Sequence, residues 1–172
     1  MARILEFIGN FHPLLLHLPI GVLIYAYLHF GYDHFISKKN EKVNIKFALG
    51  IGALSAVLSA LSGYLLSLNG GYAGELLSWH QWLGIAAAVG AVMLYLGINV
   101  NKAGNGFFAV YTGYMILLTL TGHYGGSITH GEGFLTSSAA KETVTVDIDD
   151  IPKADVFTHL VQPIVERNCV SC

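Results

Sequence analysis

Residues 47–68 read FALGIGALSAVLSALSGYLLSL, a run without a single charged side chain. A helix needs about 20 predominantly apolar residues to cross the hydrocarbon core of a bilayer. This stretch alone therefore predicts a transmembrane helix. Small residues recur along it, among them Gly52, Ala56 and Ala60, and such a stripe indicates close packing against neighbouring helices.

Three other stretches have the same character, so that four spans are predicted, at 11–31, 46–68, 76–99 and 107–128. Only 12% of the residues are charged, against about 25% in soluble domains. Between Phe47 and Asn101 the only charge is Glu75. The sequence predicts an all-α fold, an integral membrane four-helix bundle with lipid around it. The net charge of −2 gives no reason to expect nucleic acid as a partner.

The positions of the lysines indicate how the four predicted spans are oriented in the membrane. The loop after the first span carries Lys38, Lys39, Lys42 and Lys46, and the loop after the third carries Lys102. Short lysine-rich loops stay in the cytoplasm. We therefore expect both chain ends on the periplasmic side of a bacterial inner (cytoplasmic) membrane, with Arg3 as a minor exception.

The chain divides into three predicted parts. Residues 1–131 form the four-helix transmembrane domain, including a short interfacial lead-in at 1–10. Residues 132–154 form a periplasmic linker, within which 141–150 alternate polar and apolar side chains. Residues 155–172 are a C-terminal periplasmic extension with one plausible helix. Within the first span, Pro19 predicts a kink because it leaves the carbonyl of Leu15 without its helical donor.

Histidines are the most informative side chains. Spans one and three run inward and span four runs outward, so the start of the first two meets the end of the fourth. Five histidines are predicted near this outer face: His12, His17, His80, His123 and His130. Ionisable groups inside a membrane bundle are costly, face its interior and mark functional sites.

Paired imidazoles from different helices are typical of a haem bound in a helix bundle. We predict His80 with His123 as the first pair, and His17 or His12 with His130 as a second, for one or two b-type haems. Gly21 and Gly84 lie one turn from His17 and His80 and lack bulk where a porphyrin edge would pass.

Two alternatives stay open for the histidines. Imidazole is also a preferred ligand of zinc and copper, and the five histidines with Glu75 and Glu132 are candidates for such a metal site. They are equally compatible with hydrogen-bonded packing alone. His12 and His17 lie about 140° apart around a helix, so they would serve different partners. The remaining three histidines are not assigned to the site: His29 and His34 are expected at the cytoplasmic interface, and His159 in solvent.

Cys169 and Cys172 form a C-x-x-C motif at the end of the sequence. The same spacing serves disulfides, zinc and thiol redox sites, whereas covalent haem attachment needs C-x-x-C-H. The histidine would stand at the next position, so we expect residues 155–172 to be the start of a truncated cytochrome c-type segment. A c-type haem would then require a longer chain.

Two resemblances support this interpretation. The segment VFTHLVQPIVERNCVSC (156–172) resembles the first helix of planctomycete-type cytochrome c domains. The segments FHPLLLHLPIGVL (11–23), WHQWLG (79–84) and GHYGGSITHG (122–131) resemble the DUF2231-type four-helix membrane family that is found fused to such domains. The resemblance implies a membrane bundle in a respiratory setting and names no reaction.

The function predicted is that of an electron-transfer subunit, which passes electrons from b-type haem to a c-type haem at Cys169 and Cys172. It would work with cytochrome c-type or other respiratory subunits; whether it is an enzyme stays open, and a non-catalytic electron-transfer subunit of a respiratory oxidoreductase complex is favoured. Quinol is a candidate donor, near Glu75, Tyr72 or Tyr124. The alternatives are a membrane anchor for a cytochrome and a copper- or zinc-binding membrane protein.

Overall fold

The computed structural model describes residues 2–37, 42–68, 74–98, 104–131, 133–134, 157, 161–162 and 165. Within these residues the chain is helical and contains no strand, which confirms the all-α prediction. Three short pieces come first: α1 (Ala2–Asn10), α2 (His12–Leu15) and α3 (His17–Tyr32), the last continued by a π-helical turn over Asp33–Ser37. Three long helices follow: α4 (Lys42–Ser67), α5 (Glu75–Gly97) and α6 (Asn105–His130).

Three stretches of the described chain are long and apolar enough to cross a membrane: Arg3–Ser37, Asn44–Ser67 and Glu75–Gly97. The chain is therefore a helical membrane protein. The first stretch is longer than the predicted span 11–31, because the lead-in is itself an apolar helix that runs into α2 and α3. The predicted fourth span corresponds to α6, whose tyrosines, threonines and glycines make it less apolar than the other three.

The first helical stretch is interrupted at Phe11 and Leu16. Both residues keep right-handed helical dihedral angles. Leu16 precedes Pro19, which is buried and cannot donate a hydrogen bond to the carbonyl of Leu15. The interruption therefore lies where Pro19 predicts one, and it leaves α2 as a single turn that carries His12.

Two compact units divide the chain, Met1–Gly125 and Gly126–Cys172. The core of the first unit is built from α3, α4, α5 and α6. On α3 it contains Leu23, Ala26 and Phe30; on α4 Ile45, Leu49, Ala53 and Ala56; on α5 Ala88, Ala91 and Leu94; and on α6 Tyr111 and Tyr114. Small residues bring the helices close, since a Cβ on Gly52 would lie 2.5 Å from Leu23 and one on Gly90 would lie 2.9 Å from Tyr114.

Large apolar side chains also cover the outside of the first unit, among them Leu54 and Leu61 on α4 and Trp82, Met93 and Leu96 on α5. In water such a surface would aggregate. In a membrane it faces acyl chains, and the polar backbone groups are satisfied within each helix. Near the lysine-rich end, the Lys46 ammonium lies 5.8 Å from the centre of the Tyr95 ring, a cation–π contact between α4 and α5.

The second unit is described mainly at Gly126–Gly131 and at 133–134. Helix α6 ends at His130 because Gly131 adopts a φ of +87°, the left-handed conformation that terminates many helices. Phe157, Val161, Gln162 and Val165 are helical, within the segment for which one helix was predicted.

Candidate functional site

Two of the predicted histidines meet in the first unit. The ring centres of His12 on α2 and His80 on α5 lie 6.3 Å apart, with the ring planes at 71°. Both side chains are half-buried. The two histidines are 68 positions apart in the sequence, so the approach is made by the tertiary fold.

His12 is held by α4. Its Nδ1 lies 2.9 Å from the carbonyl oxygen of Ser59 and 3.4 Å from the hydroxyl oxygen of Ser62. The ring lies directly on Gly63, where a Cβ would stand 2.7 Å from Cε1 of the imidazole. A glycine at this position makes room for the ring, so the small-residue stripe on α4 also shapes a histidine site.

His80 is held in the same way by α6. Its Nδ1 lies 3.0 Å from the carbonyl oxygen of Thr121. A Cβ on Gly125 would stand 2.9 Å from Cε1 of this ring. Each histidine of the pair therefore has a carbonyl partner and a glycine on a neighbouring helix, four residues apart in both cases.

These hydrogen bonds fix the tautomers. A backbone carbonyl can only accept, so each imidazole donates its Nδ1–H and keeps the lone pair on Nε2. Metal-bound histidines commonly use this arrangement, in which a carbonyl orients the ring and raises the basicity of the other nitrogen. Each ring of the pair therefore keeps an unprotonated Nε2.

The separation of the rings fits two ligands on opposite sides of one metal ion. Metal–nitrogen distances of about 2.0–2.1 Å, with about 1.1 Å from each nitrogen to its ring centre, place the two centres about 6.3 Å apart. The observed value is 6.3 Å. The ring-centre separation therefore has the length expected for two imidazoles that share one metal ion.

The other predicted ligands lie elsewhere in the first unit. His17 is exposed, and its Nδ1 bonds to the carbonyl oxygen of Pro13, 2.6 Å away on the preceding turn. His123 is two residues from both Thr121 and Gly125, which places it about 200° around α6 from the face that contacts His80. It is exposed and lies beside Tyr124, with the ring centres 6.0 Å apart. The histidine that His80 approaches in the described residues is His12, and the pairing of His80 with His123 stays a prediction.

His130 lies in the second unit. Its Nδ1 lies 2.7 Å from the hydroxyl oxygen of Thr129 and 3.2 Å from the carbonyl oxygen of Gly126. Its ring stacks on Phe134, with the centres 5.2 Å apart. The predicted second pair, which joins His130 with His12 or His17, stays a prediction.

An aromatic edge lies next to His80. Trp79 donates a hydrogen bond of 3.3 Å from Nε1 to Glu75, and its ring stacks on Tyr124 with a centre-to-centre distance of 6.4 Å. This edge contains two of the three residues predicted near a quinol. The third, Tyr72, and the candidate metal ligand Glu132 lie outside the described residues.

A compact metal site requires three or four ligands. In the part of the chain that the structure describes, no group of three or more His, Cys, Asp or Glu side chains could hold a metal ion. Gly21 and Gly84 face open space, since a Cβ on either would have no neighbour within 4 Å.

The opposite end carries His29, His34 and a residue that the sequence did not single out. His34 donates from Nε2 to the side-chain oxygen of Asn105, 2.6 Å away, and its ring stacks on Phe30. His29 lies beside Tyr25. Asp33 is only 3% exposed, and within the described residues its Oδ1 has no hydrogen-bond partner. It follows Leu23, Ala26 and Phe30 at helical spacing, a pattern that could have identified it as interior.

Cys169, Cys172 and His159 lie outside the described residues, as do most of the predicted linker and cytochrome-like segment.

The chain has no significant match among protein-family models, curated proteins or solved structures. The resemblance to the DUF2231-type family and to planctomycete-type cytochrome c domains therefore stays a prediction.

Proposed function

We propose that the protein is a membrane electron-transfer subunit in which His12 and His80 are the axial ligands of one b-type haem. The supporting observation is the 6.3 Å approach of the two rings from separate helices, each with its tautomer fixed by a carbonyl. Haem iron with two imidazole ligands has no open coordination position, which suits electron transfer rather than oxygen chemistry.

The side chains around the pair have separate tasks in this proposal. Ser59 and Thr121 orient the imidazoles through their carbonyls, while Gly63 and Gly125 let the rings lie against α4 and α6. Preorganised ligands lower the cost of binding, because neither ring has to be ordered when the group arrives.

The proposal includes the topology. Helix α6 is taken as the fourth span of a transmembrane four-helix bundle in the bacterial inner membrane, with both termini and a C-terminal extension in the periplasm. Its support is that α6 is 26 residues long and has no Asp, Glu, Lys or Arg, together with the lysine distribution of the loops.

Electrons would pass to a c-type haem bound at Cys169 and Cys172 in a longer chain. Quinol is the proposed donor, at the edge formed by Glu75, Trp79 and Tyr124.

Visible spectroscopy of the purified protein in detergent tests the central claim. A reduced-minus-oxidised spectrum of the b type, with haem that is extractable into acidified organic solvent, is the expected result. Elemental analysis on the same sample separates iron from copper and zinc. A fully folded, colourless protein without bound iron contradicts the proposal and favours the membrane anchor.

The two cysteines provide a topology test, because the sequence has no others and both lie near its end. A membrane-impermeant maleimide added to spheroplasts, after treatment with a reductant, should label them without lysis. Labelling only after lysis would place the C-terminus in the cytoplasm. A cysteine introduced at Lys39 of the cysteine-free variant is the matched control and should react only after lysis.

A further inference from the structure

The two histidines of the pair have unequal surroundings. The carbonyl oxygen of Thr121 accepts a hydrogen bond from His80. The hydroxyl of Thr121 donates its own hydrogen bond to the carbonyl oxygen of Leu117, 2.8 Å away. The carbonyl oxygen of Ser59, by contrast, accepts two side-chain hydrogen bonds, one from His12 over 2.9 Å and one from the hydroxyl of Ser62 over 2.9 Å. Among the described residues, the acceptor of His12 is thus shared with a second side chain, and that of His80 is not.

Ser62 is buried beside the hydrogen bond between His12 and the Ser59 carbonyl, so its hydroxyl can influence that bond but cannot reach solvent or a partner. It is 1% exposed, and its oxygen lies 3.4 Å from Nδ1 of His12. That distance is too long for a strong hydrogen bond, so the main effect of Ser62 is through the shared carbonyl. Hydrogen bonds in one network polarise each other, and two donors on one oxygen compete for the same electron density.

We propose that Ser62 is a positioning residue that weakens the hydrogen bond from His12 to Ser59 and thereby raises the reduction potential of the group held by His12 and His80. This inference rests on the proposed function. The physical link is that a strong Nδ1–H···O bond makes Nε2 more basic and favours the oxidised metal. Hydrogen bonding around an axial ligand is one of the means by which a protein sets a haem potential.

Redox titration of the b-type signal in Ser62→Ala tests the proposal. The midpoint potential should fall, by up to about 59 mV if the equilibrium constant for the one electron changes tenfold. Ser55→Ala is the matched control, because Ser55 is also buried on α4 but donates to Ile51 and Gly52 and has no contact with a histidine. Its potential should equal that of the wild type. An unchanged potential in Ser62→Ala, or an equal fall in both variants, overturns the proposal.

A second variant covers the case in which Ser62→Ala does not fold. Cysteine has nearly the size of serine and a weaker donor, so Ser62→Cys should give an intermediate fall in potential. A potential at or above that of the wild type would contradict the proposal.

A further measurement separates this inference from the failure of the proposed function. If the wild-type protein binds no haem, NMR of histidine-labelled protein in detergent still reports the hydrogen bond through the Nδ1 proton of His12. That resonance should move downfield in Ser62→Ala and not in Ser55→Ala. An unmoved resonance overturns the role of Ser62 whether or not haem is present.

Discussion

Gly63 and His12 are in such close contact that a methyl group on Gly63 would stand 2.7 Å from Cε1 of the imidazole ring. Gly63→Ala should therefore displace the ring and remove most of the b-type signal. Overpacking of this kind costs about 1–3 kcal/mol, so the protein should still fold. Visible spectra in detergent measure the b-type signal, and thermal denaturation in detergent measures whether the protein is still folded. Gly84→Ala is the control, because its Cβ meets no atom within 4 Å. A full b-type signal in Gly63→Ala would show that His12 is not a ligand.

The histidines themselves provide the second prediction. His12→Ala and His80→Ala should each abolish the b-type spectrum, because removing one axial ligand leaves the group held on one side only. His17→Ala and His123→Ala are matched controls, since both side chains are exposed, His17 bonds to the carbonyl oxygen of Pro13 and His123 lies beside Tyr124. Loss of the signal in the His123 variant and its retention in the His12 variant would restore the pair predicted from the sequence.

Two buried tyrosines of α6 allow a matched comparison of how a hydroxyl group affects the free energy of unfolding. The hydroxyl of Tyr111 donates to the carbonyl oxygen of Leu23 over 2.7 Å, whereas the buried hydroxyl of Tyr114 has no hydrogen-bond partner within the described residues. Tyr111→Phe should lower the free energy of unfolding by about 0.5–1.5 kcal/mol. Tyr114→Phe should leave it unchanged or raise it. Thermal denaturation in detergent distinguishes them, and equal losses would contradict the assignment of the two hydroxyls.

Asp33 provides a prediction at the opposite end of the first unit. A buried carboxylate oxygen without a partner destabilises the fold, because it has lost its hydration and gained no hydrogen bond. Asp33→Asn removes the charge and keeps the shape, so the melting temperature should rise. A fall of several degrees would instead show that Asp33 is paired in the whole protein, and a lysine of the following loop would be the first partner to test.

Gly9 provides a prediction about the first helix. A Cβ on this residue would stand 2.8 Å from the backbone nitrogen of Leu66, so α1 and α4 are in backbone contact. Gly9→Ala should separate the two helices and lower the melting temperature. Gly21→Ala meets open space and should raise it, since alanine is favoured over glycine in a helix by about 0.5–1 kcal/mol. A stable Gly9→Ala protein would mean that α1 can shift without cost.

The helices could be predicted because charge-free stretches in this chain are long and separated by polar loops. The segments predicted at 46–68, 76–99 and 107–128 correspond to α4, α5 and α6, which begin within four residues of the predicted starts. The extent of the first helical stretch was not predicted. Its lead-in is short, and its packing on α4, with Gly9 against Leu66, shows that it belongs to the first unit.

The histidine pair was harder to predict, because a sequence indicates the height of a residue along a helix better than its direction. Each step along a helix turns a side chain by about 100°, so histidines at the same end of a bundle can lie on different faces of their helices. His12 is directed toward α4 by the Ser59 carbonyl and the space above Gly63. These contacts join residues 47 or more positions apart, and no local pattern in the sequence contains them.

The contact of Gly9 with Leu66 and that of His12 with Gly63 have the same antiparallel register, because each advance of three residues along the first chain segment is matched by three residues back along α4. Helix α1 thus acts as a spacer that determines how far His12 reaches into the protein. A deletion of the first nine residues would remove the Gly9–Leu66 contact and, with it, the nearest support for the position of His12 along α4.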